Sequence, residues 1–123
     1  MAYRHQLVGK WGEEVAVGFL SAKGWEILAR NVNTPHGELD IVALDQKVVV
    51  FVEVKARTSG SFGLPEDAVT YQKVQHILDA AQFFLQEHPE LDGDWRVDVV
   101  AVQGQLNSTD SQIVWFENAI SGY

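Results

Sequence analysis

Three side chains in the middle of this 123-residue chain have the types and spacing for chemistry on a charged substrate: Asp40, Glu53 and Lys55. Glu53 and Lys55 close an apolar run, Val48-Val49-Val50-Phe51-Val52. Side chains alternate along a strand with period two, so the carboxylate and the ammonium share a face. The run itself is apolar on both faces, which predicts a central strand covered on both sides. Residues 39–44, Leu-Asp-Ile-Val-Ala-Leu, form a second apolar segment whose only charge is Asp40. If an even-numbered loop (Gln46-Lys47, or residues 45–48) joins the two segments as a hairpin, Asp40 falls opposite Glu53. Opposed Cβ atoms lie roughly 4.5–5.5 Å apart, and like charges there destabilise the sheet. A divalent cation is the simplest reason to keep two such carboxylates facing one another.

The flanking sequence supplies elements that can position this pair. Residues 5–22 carry Leu7, Val8, Trp11, Val15, Ala16, Phe19 and Leu20 at helical spacing, with Gly24 as the C′ residue that ends the helix. Glu13 shares a face with Ala16 and Leu20 and leans toward the sheet, whereas Glu14 reads as a solvated charge. Residues 25–30 alternate as a strand, and residues 31–37 have loop chemistry, with His36 and Glu38 near the Asp40 face. A Gly/Ser loop over residues 58–64 follows Lys55 and Arg57. Pro65-Glu66-Asp67 reads as the first turn of a helix running through Glu87, with Val69, Val74, Ile77, Leu78, Ala81, Phe84 and Leu85 as its apolar stripe. Residues 95–102 and 113–116 read as two more strands. Asp98 could orient a basic residue or the metal shell, but a structural ion pair with Arg96 or a helix cap is the more economical reading.

Asp followed by Glu-x-Lys after a hydrophobic strand resembles the PD-(D/E)xK nuclease superfamily. The longer string is similar to the small bacterial YraN (UPF0102-type) family. The residues that carry this likeness are Gly12-Glu13, Gly24, Asn31, Gly37 through Ala43, Phe51 through Arg57, Phe62-Gly63, Lys73, Ala80-Ala81 and Asp98 through Val102. The resemblance implies one α/β domain over residues 1–123 with a restriction-endonuclease-like core, which the element order fits as a mixed sheet of about five strands flanked by helices on both faces. It also implies a Mg²⁺- or Mn²⁺-dependent endonuclease acting on nucleic acid, with DNA the favoured substrate. Asp40, Glu53 and the Val54 carbonyl would then hold the metal, and Glu13 would complete the site directly or through water. Lys55 would orient water or stabilise developing charge, and Arg57, Lys73, Lys10 and Arg4 would contact nucleic acid. The rival reading is a non-catalytic module that keeps this fold to bind nucleic acid or a protein partner.

Composition bounds the rest. Cysteine is absent, which excludes disulfides and thiolate metal sites. No apolar run approaches a membrane span and no signal-peptide core is visible, so a cytoplasmic protein without a membrane partner is expected, with a homodimer among the open oligomeric states. The net charge of −8 opposes binding to a polyanion. Residues 1–60 hold seven Lys/Arg and seven Asp/Glu, whereas residues 61–123 hold two and ten. Any nucleic-acid face must therefore draw on the first half.

Overall fold

A computed structural model describes residues 2–58, 71–106 and 110–120, with side chains from residue 6 onward. The order is α1 (Ala2–Ala22), β1 (Glu26–Thr34), β2 (Gly37–Asp45), β3 (Val48–Arg57), α2 (Tyr71–Glu87), β4 (Trp95–Gln103) and β5 (Gln112–Ile120). The strands form one mixed sheet in the order β1-β2-β3-β4-β5. Only β3 and β4 pair in parallel, because α2 lies between them in the chain; the other neighbours are antiparallel. This is the mixed α/β architecture expected from the sequence, and it is consistent with a restriction-endonuclease-like core.

Each helix covers one face. Val50 and Val52 of β3 pack with Trp11, Ala16 and Leu20 of α1, while Val49 and Phe51 pack with Ile77, Ala81 and Phe84 of α2. The central strand is thus buried on both sides by its alternating residues, as an apolar run must be. At the end of α1, Gly24 adopts φ +89°, donates to the Ser21 carbonyl at 2.9 Å, and lets Trp25 N–H reach the Leu20 carbonyl at 3.3 Å. Earlier in the same helix, Gly12 lies so close to β3 that an added Cβ would sit 2.5 Å from the Ala56 Cβ. Only glycine lets α1 approach β3 at the point where Glu13 enters the site.

Two expectations need correction. The first strand does not stop at Arg30: β1 continues to Thr34, and Asn31-Val32-Asn33 belongs to the sheet. Local loop propensity is overridden by pairing with β2, from Arg30↔Ile41 to Thr34↔Gly37. The last strand likewise extends beyond residues 113–116, to Gln112–Ile120. The Gly/Ser loop expected over residues 58–64, apart from Thr58, and the helix start expected at Pro65-Glu66-Asp67 lie outside the described residues.

Candidate active site

The hairpin between β2 and β3 has the two-residue loop Gln46-Lys47, and its register is Asp45↔Val48 through Ile41↔Val52. One further step sets Asp40 against Glu53. There the two strands part. No β2–β3 pairing continues past Ile41↔Val52, whereas β1–β2 pairing runs on to Gly37 and β3–β4 pairing to Arg57. Asp40 fills the base of this fork: its Oδ2 accepts the Val54 N–H at 2.9 Å. A residue in an extended strand directs N–H and C=O to the same side, so the Val54 carbonyl also faces the fork.

The electrostatics are those of a carboxylate pair with too little solvent. Burial, then the charge of Glu53, raises the Asp40 pKa to about 7, against the Val54 hydrogen bond that favours the ionised form. Glu53 is buried and takes both Lys55 (3.3 Å) and Lys73 (3.0 Å) on its Oε2. Burial pushes Lys55 below the usual lysine range and the Lys73 ammonium adds to this, against the pull of Glu53. Lys73 is shifted upward: burial opposes the shift, and the Glu53 and Asp40 carboxylates overcome it. Asp40 borders two hollows. One, of about 550 Å³, holds Glu13, Lys10, Arg30 and Asn31; the other, of about 240 Å³, holds Glu53, Lys73 and His76.

Sequence comparison bears on this arrangement. The family described as "Uncharacterised protein family UPF0102" matches residues 12–102, which include Glu13, the fork and β4 as far as Val102. The chain belongs to the UPF0102 family. It is 46% identical over 103 residues to a UPF0102 protein of Syntrophotalea carbinolica, covering 84% of each chain. It is 41% identical over 110 residues to one of Desulfosudis oleivorans, covering 89% of each. A UPF0102 protein of Clostridium perfringens matches 91% of this chain and 92% of its own at 34% identity.

Within this family member, the structure brings Asp40, Glu53, Val54, Lys55 and Lys73 together. Glu13 reaches the hollow that Asp40 borders, but it is already engaged: Oε1 accepts Arg30 Nε (3.1 Å), Arg30 Nη2 (2.8 Å) and Asn31 Nδ2 (3.0 Å). Its Oε2 has no protein hydrogen bond among the described residues. Among those residues no three His, Cys, Asp or Glu side chains gather into a ready cation cage. The donors that do fit a hard cation are the two fork carboxylates and the Val54 carbonyl, all oxygen.

Lys10 is exposed on the rim of the larger hollow. Arg57 is partly buried and donates to the Ala56 carbonyl at 2.9 Å. The Arg4 side chain lies outside the described residues. Glu14 is mostly exposed and pairs with Arg30 at 2.9 Å. His36 sits in the turn after β1 with its ring edge toward Phe83, 6.2 Å between centroids, away from the fork carboxylates. Exposed Glu38 lines both hollows.

Asp98 is structural. Fully buried, it accepts Arg96 Nε (3.0 Å), Trp115 Nε1 (2.9 Å) and the Asn118 N–H (2.8 Å), filling an irregularity between β4 and β5. Sequence reasoning missed Arg30 and Asn31 as parts of the site. Their signal was the place of Arg30-Asn31 one hairpin arm away from Asp40; for Asn31 it was hidden by reading residues 31–37 as a loop.

Proposed function

We propose that this protein is a divalent-metal-dependent nuclease that hydrolyses phosphodiester bonds in nucleic acid, DNA being the favoured substrate. One observation carries the reading: Asp40 and Glu53 are set against each other where β2 and β3 part, and among the described residues Asp40 takes its hydrogen bond from a backbone N–H, with no basic side chain in an ion pair on it. A sheet has no structural use for such a pair, and a hard cation compensates it. Mg²⁺ or Mn²⁺ would be held by Asp40, Glu53 and the Val54 carbonyl, with Glu13 behind Asp40. There it supplies Lewis-acid activation of water and neutralisation of charge on the phosphate.

The chain's own groups do the rest. Lys55, held 3.3 Å from Glu53, presents an ammonium beside the carboxylates, where it orients the attacking water or stabilises charge developing on the phosphate. Its lowered pKa makes it a better proton carrier near neutral pH than an exposed lysine. Lys73 on α2 reaches the same Glu53 oxygen at 3.0 Å and supplies a second cation for a substrate phosphate.

The test is a panel of labelled single-stranded, duplex and branched DNA and RNA, incubated with Mg²⁺ or Mn²⁺. Asp40→Ala, Glu53→Ala and Lys55→Ala should each abolish most cleavage, and Glu14→Ala should change little. Cleavage that persists in both carboxylate variants would refute the assignment.

A further inference from the structure

Asn31 is the one residue of β1 whose backbone is left-handed, at φ 53°. By the β1–β2 register it stands directly across from Asp40, between Arg30↔Ile41 and Val32↔Leu39. At this rung both strands change face. Ile41 packs on the α1 side of the sheet, yet Leu39, two residues earlier, packs on the α2 side, where regular alternation would return it to α1. On β1, Arg30 reaches α1 through Glu13, while Val32 packs on the α2 side. The kink thus falls on the pair Asn31/Asp40, at the rung where β2 leaves β3. A second observation is independent of the backbone: Asn31 Nδ2 donates to Glu13 Oε1 at 3.0 Å.

We infer that Asn31 is the positioning residue of the site. Its left-handed backbone turns β2 away from β3, so that Asp40 meets the Val54 N–H, and its amide fixes the helix carboxylate Glu13 beside the hollow that Asp40 borders. Asparagine suits both tasks, since it tolerates the left-handed region better than other non-glycine residues and carries a donor. This role rests on the proposed cation site only for its purpose, not for its geometry.

Two readouts separate the parts. The Val54 amide, followed by hydrogen exchange in EDTA and compared with Val52, reports the kink. Mn²⁺ affinity, measured by titration calorimetry on the folded protein, reports the carboxylates. Asn31→Gly keeps the backbone and loses the amide, so Val54 protection should hold while Mn²⁺ binding weakens by about tenfold, the usual scale for a group that orients a ligand. Asn31→Asp should weaken Mn²⁺ at least as much, because it faces Glu13 with a second carboxylate. Asn31→Ala should also speed Val54 exchange by about tenfold relative to Val52, since a left-handed alanine is disfavoured. If Asn31→Ala does not fold, the glycine and aspartate variants still decide the amide's role. Folded Asn31 variants with wild-type Val54 protection and wild-type Mn²⁺ affinity would overturn the inference. A wild-type protein that binds no Mn²⁺ would instead remove the cation site, leaving the exchange comparison to decide whether Asn31 sets the kink.

Discussion

At the scale of single residues, two buried-strand aspartates in this chain have opposite fates. Asp98 is satisfied by a guanidinium, an indole N–H and a backbone N–H, whereas Asp40 has one backbone N–H and a carboxylate for a neighbour. The same substitution should therefore act in opposite directions. Asp98→Asn breaks a buried ion pair and should cost about 3 kcal/mol or more. Asp40→Asn, in EDTA, should leave stability unchanged or raised, the familiar exchange of stability for function at a working site.

The pH dependence follows with a definite sign. Asp40 has a folded pKa of about 7 against an ordinary aspartate value of 3.8, so the folded state binds the extra proton between those limits. Its contribution is fully present below about pH 4 and is lost as pH rises toward 7. Urea melts in EDTA across that window should show wild type losing stability relative to Asp40→Asn. Parallel profiles would show that Asp40 ionises normally.

At the scale of elements, the site depends on how α1 and the two hairpin arms meet. Gly12→Ala would drive a methyl group into the Ala56 Cβ and push α1 away from β3. Overpacking of this kind costs roughly 1–3 kcal/mol, and Ala56→Gly in the same chain should restore most of it. Failure of that second change to rescue would show that the contact is not what limits the approach.

The facing of Asp40 and Glu53 was legible in the sequence on the condition of an even-numbered loop, which the structure meets with Gln46-Lys47; period-two alternation does the rest. The helix stripes were legible for the same reason of periodicity. The end of β1 was not. Asn31, Asn33, Thr34 and Pro35 are individually turn-forming residues, and what makes most of them a strand is pairing with β2, a tertiary fact. That one misplacement concealed Asn31, and with it part of the reason Glu13 is held where it is.

At the scale of the whole molecule, the uneven charge becomes a spatial arrangement. The acidic segment around Glu90, Asp92 and Asp94 meets β3 at its beginning, where Val49 N–H donates to the Asp94 carbonyl. The site lies further along the strand, roughly 13 Å from Val49 to Glu53. Lys10, Lys55 and Lys73 lie around the fork, and under the proposed function these are the cations a polyanion would meet in spite of the net charge of −8. Among the described residues no helix is long and apolar enough to cross a membrane. Binding to duplex DNA should be weak and steep in salt, with a logarithmic slope of about −2.7 to −4.5 for roughly three to five phosphate contacts. Arg57→Ala should lower that slope by about one. An affinity that hardly changes between low and physiological salt would favour a protein partner.

The central claim is that Asp40 and Glu53 together form a cation site, and thermal melts of wild type and Asp40→Asn, with EDTA and with Mn²⁺, test it most directly. Binding to the folded state alone at a hundredfold excess over the dissociation constant stabilises wild type by about 2.7 kcal/mol, or about 10 °C for a domain of this size. That rise is expected for wild type, with little or none for Asp40→Asn. An equal rise in both proteins, or an Asp40→Asn protein clearly less stable than wild type in EDTA, would contradict it.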